Sequence, residues 1–445
     1  MSISPARIAA FEILLRVAQR NAYASELLNS SRYAKLSPAD HGLATELVMG
    51  VLRWQSVLDD NLAPHLSKKL VALDTEVLIA LRIAAYQMLF LDRIPARAAV
   101  HESVELMKLA RKRSAAPFVN AVLRKVVGPS KQRSWAEVVS QAKTAGALAQ
   151  QSAHPVWLVE RWQREFGFER AQQICACDQQ APQIAIALDD SEMQSRLEKE
   201  NVQLAPGLLL ASARRVIGGD LTNTRSVRDD RILIQDEASQ LVAHLVGEGS
   251  KILDCCAAPG GKTRALARKN PSAAIVAVEL HPHRARLLRK LVAANNVEVI
   301  VADARDLPVR ACFDRVLADV PCSGTGTLAR NPEIKWRLKP EDLVDLQARQ
   351  VAILKSSMQR ATPGGRIVYA TCSLEKEENN DVVEQALAAD SSFRRLDCRV
   401  ELEHLRGKGQ LVWKDVESIT AGPYLRTMPG VHPCDGFFAA VLEKI

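Results

Sequence analysis

The sequence predicts a multidomain protein: an all-α N-terminal domain, a small α/β module, and a C-terminal α/β domain on a doubly wound, mostly parallel sheet. Three observations carry this. At 445 residues the chain exceeds the usual size of one domain. Through the first 128 residues apolar side chains recur at helical spacing, with no alternating strand pattern between them. From Ile232 onward short apolar strands alternate with amphipathic helices, the order of a parallel sheet covered on both faces. The expected divisions are 1–140, 141–230 and 231–445.

In the first division Ser4-Pro5 and Ser37-Pro38 each put a capping hydroxyl before a proline at the first helical position. Asp40 adds an acid to its helix's first turn, and Asp74 and Thr75 are placed to cap a third helix. Leu43, Leu47 and Val51, then Val77, Leu81, Ala84, Ala85 and Met88, then Val100, Val104 and Met107 form core stripes, predicting five to seven helices. Residues 1–128 hold 17 Lys and Arg against 11 Asp and Glu, which is +6 of the chain's +8. The cluster Arg111-Lys112-Arg113 stands just before a further helical stretch at 118–127.

Gly128-Pro129-Ser130 opens a linker, 129–150, that turns weakly helical. A helix with Trp157, Leu158, Trp162 and Phe166 follows, its tryptophans read as core residues. A strand at 184–188, a charged helix at 192–200 and apolar pieces near Leu208 and Val216 make the small module. The last division reads as strands at 251–255, 274–279, 297–301, 315–320 and 366–370, with helices at 262–269 and 284–294. A late edge strand is expected at 437–442.

Composition narrows the function classes. Hydrophobic residues at 47% and charged ones at 25% suit a soluble globular protein, and aromatics at 4% require aliphatic cores. The positive balance and a pI near 9.0 suit a polyanion such as nucleic acid. No apolar run reaches the ~18 residues of a membrane helix, and the N-terminus lacks a secretory pattern. Nine cysteines without such a signal read as reduced thiols, and a cytoplasmic protein is expected. Cys175-Ala176-Cys177 lacks a second Cys/His pair at zinc spacing, so no metal is expected.

Between the first strand of the sheet and its helix lies Asp254-Cys255-Cys256-Ala257-Ala258-Pro259-Gly260-Gly261-Lys262-Thr263. Its paired glycines permit a tight turn and close approach of a ligand. The loop is neither GxGxxG nor a Walker sequence. Glu279 ends the second strand, where an acid commonly grips a ribose diol, and Asp303 follows the third, placed for an adenine amino group. This fits an adenosine-containing ligand, whether a nicotinamide cofactor or S-adenosylmethionine. Two further strand ends decide between them: Asp319-Val320-Pro321-Cys322-Ser323 and Thr371-Cys372-Ser373. A lone cysteine reads as a small buried hydrophobe. Two thiols and a carboxylate at one crevice instead suit methylation of carbon 5 of a pyrimidine, which needs covalent addition at carbon 6 and an acid at the ring nitrogen. Hydride transfer has no use for the thiols.

The C-terminal half resembles the Sun-type (RsmB-like) RNA cytosine-5 methyltransferases. The resemblance rests on CAAPGGKT (residues 256–263), D-x-P-C-S (319–323), NPEIKW (331–336) and TCS with Glu377-Glu378-Asn379. Gln235-Asp236-Glu237-Ala238-Ser239 and Asp435-Gly436-Phe437-Phe438 fit the same family. The N-terminal block, with Glu46-Leu47-Val48, Gly50-Val51-Leu52-Arg53 and residues 118–124, is similar to an antitermination-factor-like (NusB-like) RNA-binding domain. The resemblance implies a Rossmann-like methyltransferase domain, with Cys372 as nucleophile, Cys322 as the thiol assisting release and Asp319 as the acid. It further implies that Cys256, Ala257, Ala258, Pro259, Gly260, Gly261 and Lys262, with Glu279, Asp303 and Asp319, line an S-adenosylmethionine pocket. Glu279 stands where Asp is usual, and Cys255 where Leu is. The expected partner is small-subunit (16S) ribosomal RNA, bound by a monomer, with Arg111, Lys112 and Arg113 among its contacts. Transfer RNA is the alternative substrate and a non-catalytic RNA-binding factor the alternative class. An adenine amino-methyltransferase would need a second proline and an aromatic ring where Val320-Pro321-Cys322 stands.

Overall fold

The computed structural model describes residues 3–20, 22–33, 35–126, 139–188, 190–221, 224–228, 232–309 and 313–445. Its contacts divide the chain into two compact units, Met1–Ala181 with Leu328–Arg337, and Pro182–Thr327 with Leu338–Ile445. The three expected divisions thus regroup. Helices beyond residue 141 pack with the first unit, and the small module falls with the second.

Among the described residues the first unit opens with seven α-helices: α1 (Pro5–Arg20), α2 (Ala24–Leu28), α3 (Pro38–Arg53), α4 (Gln55–Leu62), α5 (Thr75–Phe90), α6 (Ala96–Leu109) and α7 (Ala116–Leu123). Three more helices follow, Ala145–Gln151, Val156–Phe166 and Phe168–Asp178. Ser37 caps α3 as expected, its hydroxyl accepting the Asp40 N–H at 3.1 Å. Asp74 precedes α5 without capping it, because its carboxylate takes the Lys112 ammonium at 2.8 Å. The α7 helix ends at Leu123, short of the expected 127, and residues 129–138 of the expected linker, with 127 and 128 before them, lie outside the described residues. Leu47, Val51, Val77, Leu81, Ala84, Ala85 and Met107 all reach one core. Gly50 belongs on the α3 face because any Cβ there would sit 2.0 Å from the Tyr86 ring of α5. The Tyr86 hydroxyl donates to Glu46 at 2.5 Å, so Glu46 and Gly50 serve one contact.

Leu328–Arg337, which carries NPEIKW, completes this unit by satisfying helix ends, where backbone groups otherwise lack partners. Glu333 accepts the Ala24 N–H at the start of α2, at 2.8 Å. At the end of α3, Lys335 donates to the Arg53 carbonyl at 2.9 Å and the Trp336 indole to the Leu52 carbonyl at 2.6 Å. Arg337 donates to the carbonyls of Val17 and Ala22. Lys335 is fully buried, which pushes its ammonium down to about 7 while Asp178, also fully buried, opposes the shift.

The second unit holds two sheets. The smaller is antiparallel, in the order β2-β3-β1-β4, from β1 (Ala185–Ala187), β2 (Gln203–Pro206), β3 (Ala213–Gly218) and β4 (Leu233–Ile234). Glu237, almost fully buried, accepts the N–H groups of Leu208, Leu209 and Leu210 at 2.7–2.9 Å, which gives the Gln235–Ser239 motif a structural task.

The larger sheet runs β11-β12-β13-β9-β8-β5-β6-β7, where β11 is Thr420–Ala421, β12 Tyr424–Arg426 and β13 Phe438–Lys444, with β10 (Phe393–Leu396) also paired to β13. Its parallel part is β5 (Lys251–Asp254), β6 (Ala274–Glu279), β7 (Val297–Val301), β8 (Phe313–Asp319) and β9 (Ala361–Thr371). The chain builds outward from β5 through β6 to β7, then returns to the other side of β5 for β8. That reversal is where open α/β sheets bind ligands. Alternate residues feed two cores: Ile252, Leu317 and Val368 meet Leu241 and Leu245 on one face, while Leu253, Val316 and Ile367 meet Leu354 and Met358 on the other. The expected edge strand at 437–442 needs correction. It is β13 (Phe438–Lys444), antiparallel to β9 and covered on its far side by β12 (Tyr424–Arg426) and β10 (Phe393–Leu396). Ala439, Ala440 and Val441 are fully buried, as an interior strand requires.

Candidate active site

The loop after β5 is pinned at both ends of its turn. The Cys255 N–H donates to Leu317 at 2.9 Å and the Ala257 N–H to Val278 at 2.8 Å. Gly260 has φ +116°, and a Cβ there would also lie 2.7 Å from Leu288. Only glycine meets both conditions. The helix Gly261–Lys269 starts next, and its Thr263 hydroxyl donates to Asp254 at 2.7 Å. Burial pushes the Asp254 carboxyl up to about 6, against the lowering effect of that hydrogen bond. Cys255 is packing, its sulfur 3.1 Å from the Ser357 hydroxyl. Burial also drives the Cys256 thiol well above its ordinary value.

Lys262 reaches from this loop to Asp319 at the end of β8, Nζ to Oδ2 2.7 Å, and its ammonium lies 5.1 Å from the centre of the Phe437 ring. Glu279, at the end of β6, accepts the His281 N–H at 2.8 Å and stands 4.0 Å from the Arg284 guanidinium. Asp303, after β7, is taken up by its neighbour Arg305, with two oxygens at 2.6–3.0 Å from the guanidinium nitrogens. Hydrogen bonds from that side chain hold the Asp303 carboxyl below its usual range.

Neighbouring parallel strands bring the two cysteines together. Asp319 of β8 is in register with Ala370 of β9, and the Val320 N–H donates to the Ala370 carbonyl at 3.0 Å. Three residues past Asp319 and two past Ala370, the Cys322 and Cys372 sulfurs are 3.4 Å apart. Contact with Cys372, and then burial, push the Cys322 thiol well above its ordinary value. A third segment closes the arrangement: the Gly326 N–H donates to the Cys372 carbonyl at 2.9 Å, and the Gly436 N–H to the Gly326 carbonyl at 2.8 Å. Glycine is required at Gly326, where a Cβ would be 2.2 Å from the Gly436 oxygen.

The second unit therefore holds Cys322, Cys372, Asp319, Lys262 and the 256–261 loop around the end of the β5–β8–β9 ladder, with Glu279 and Asp303 at the next two strand ends. Arg111, Lys112 and Arg113 belong to the other unit. Lys112 is paired with Asp74 there, and Arg111 adopts φ 59°. Sequence reasoning assigned no task to Glu378 or Gln350, both fully buried between the cysteine segments. A carboxylate in the polar run after Thr371-Cys372-Ser373 was the available signal for the first.

A doubly wound sheet with a glycine-hinged loop at its strand-order reversal defines a Rossmann-like domain, which here follows a helical unit in the chain. Residues 243–443 match the 16S rRNA methyltransferase RsmB/F family, and residues 4–128 match the NusB family. The probable ribosomal RNA small subunit methyltransferase B of Bacillus subtilis is 31% identical over 463 residues, covering all of both chains. The ribosomal RNA small subunit methyltransferase B of Pseudomonas syringae pv. tomato is 32% identical, covering 94% of this chain and 93% of its own. The crystal structure of PH0851 superposes over all of both chains with TM-score 0.82 at 22% identity, sharing the fold. The chain belongs to the RsmB/F family, and it is an S-adenosylmethionine-dependent RNA methyltransferase.

Proposed function

We propose that the protein methylates carbon 5 of a cytosine in small-subunit ribosomal RNA through a covalent adduct of Cys372 at carbon 6. The observation that carries this reading is the 3.4 Å approach of two thiols at adjacent strand ends, one on the strand that delivers Asp319. An amino-methyltransferase has no task for such a pair. The relatives from Bacillus and Pseudomonas support the choice of RNA by their names.

S-adenosylmethionine supplies an electrophilic methyl group when bound. The residues present fit it: a left-handed glycine opens the loop, a Cβ at Gly261 would meet nothing nearer than 3.5 Å, and acids end the next two strands. Cys256 to Lys262, Glu279, Asp303 and Asp319 would hold it.

The Cys372 thiol loses its proton to water and the thiolate adds to carbon 6; the displaced electron pair moves to the ring nitrogen, which takes a proton from water through the Asp319 carboxyl. Lys262 balances the charge on Asp319. Carbon 5 is thereby made nucleophilic and takes the methyl group. Release breaks the carbon 6–sulfur bond: the carbon 5 and ring-nitrogen protons pass to water, the carbon 5–carbon 6 double bond re-forms, and the sulfur leaves with the bonding pair as a thiolate to which Cys322 donates a hydrogen bond. The high affinity of Cys322 for its proton suits a donor. The NusB-like unit, with Arg111, Lys112 and Arg113, supplies RNA contacts, and the protein acts in the cytoplasm as a monomer. Incubating the purified protein with labelled S-adenosylmethionine and either small-subunit ribosomal RNA or transfer RNA tests the reading. It predicts 5-methylcytosine at one position of the ribosomal RNA. Label on an adenine, or in transfer RNA alone, would contradict it.

A further inference from the structure

Glu378 lies in the short turn after the Cys372 segment and is completely buried. One of its carboxylate oxygens accepts the Ser323 N–H at 2.8 Å and the Gln350 amide at 2.9 Å. The other accepts the Ser373 hydroxyl at 2.5 Å and the Ser323 hydroxyl. Ser323 directly follows Cys322, and Ser373 directly follows Cys372. Gln350 also donates to the Pro321 carbonyl at 3.0 Å, so the same amide holds the residue before Cys322. Four donors converge on one carboxylate, and three come from the two cysteine segments themselves. The next residue continues the tie: Asn379 accepts the Thr371 hydroxyl at 2.5 Å and donates to the Ser373 carbonyl at 2.9 Å.

We infer that Glu378 is a positioning residue that sets the spacing of the Cys322 and Cys372 thiols by clamping the backbone next to each. Its importance for catalysis rests on the proposed thiol chemistry, whereas its control of spacing does not. A buried carboxylate is costly unless every acceptor site is filled. This one is filled by both loops at once, so moving either loop strands it. The segments therefore hold one arrangement, with the sulfurs in contact.

The test uses a diazene oxidant, which is reduced to the hydrazine as it takes two thiol hydrogens and one S–S bond forms. The rate of the Cys322–Cys372 cross-link, read by peptide mass spectrometry, reports thiol spacing without RNA. Glu378→Ala is expected to slow cross-linking by at least about ten-fold, and single-turnover methyl transfer by roughly 10²-fold, the scale of a ~1 Å misplacement. S-adenosylmethionine affinity should hold. Glu378→Gln should recover most of the cross-linking rate, because the serine hydroxyls can turn to accept from its amide. Should the alanine variant fail to fold, Ser373→Ala and Ser323→Ala, each removing a hydroxyl from the clamp, are expected to slow cross-linking in the same direction. Folded Glu378→Ala protein that cross-links at the wild-type rate would overturn the inference. Slower cross-linking with unchanged methyl transfer would uphold the clamp and sink the covalent role of Cys372.

Discussion

Gly326→Ala is the most informative small perturbation of the site. The added Cβ would lie 2.2 Å from the Gly436 oxygen, where ordinary contact begins at 3.4 Å. The two backbone segments must part by about 1 Å, and the Gly326 N–H bonded to the Cys372 carbonyl moves with them. Misplacement of that size typically costs roughly 10²-fold in rate. Overpacking should lower stability by about 1–3 kcal/mol. The loop from Cys256 to Gly261 is untouched, so cofactor affinity should change little. Gly407→Ala is the matched control, since a Cβ there meets nothing within 4 Å. The assay is single-turnover methyl transfer, beside calorimetric titration with S-adenosylmethionine and a melting curve. A folded Gly326→Ala protein with the wild-type transfer rate would refute the reasoning.

Asp319→Asn should reduce methyl transfer by ~10² to 10⁴, the usual cost of losing an acid–base group, with a much smaller effect on cofactor titration; equal losses would mean that Asp319 serves mainly the cofactor. Lys335→Met should destabilise the protein by about 1–3 kcal/mol, because it leaves the buried Arg53 carbonyl without the ammonium that donates to it at 2.9 Å; an unchanged denaturant midpoint would contradict that. Neutralising Arg111, Lys112 and Arg113 together should weaken RNA binding and flatten its dependence on salt. Filter binding across a salt series measures this, and an unchanged slope would remove these residues from the interface.

The parallel sheet was legible because its strands are mostly apolar runs, four of the five ending at a polar residue: Asp254, Glu279, Asp319 and Thr371. Strands 274–279 and 297–301 were read to the residue, and the others to within a few positions at their C-terminal ends. The meeting of Cys322 and Cys372 was legible too, since both motifs end strands of one parallel sheet. Other features depend on contacts that sequence spacing does not carry. Residues 328–337 read as part of the 231–445 division, yet their hydrogen bonds go to the ends of α1, α2 and α3. The strand at 438–444 looked like an edge because it comes last, whereas β10 and β12 pair with it after a long excursion. The acid at Asp303 was legible, but not its pairing with Arg305 two residues on. Glu378 carried no periodic signal, and its role emerged only from which donors converge on it.

The central claim is that Cys372 attacks carbon 6, and RNA carrying 5-fluorocytidine tests it most directly. Fluorine at carbon 5 leaves no proton to remove after methylation, so the elimination that frees the enzyme cannot occur. With S-adenosylmethionine present, the protein should become covalently fixed to this RNA, and digestion should find the modified nucleotide on the peptide bearing Cys372. Cys372→Ala should abolish the adduct, while Cys322→Ala should still form it and should also linger on ordinary RNA. An adduct on Cys322, or full methylation of ordinary RNA by the Cys372→Ala protein, would contradict the account.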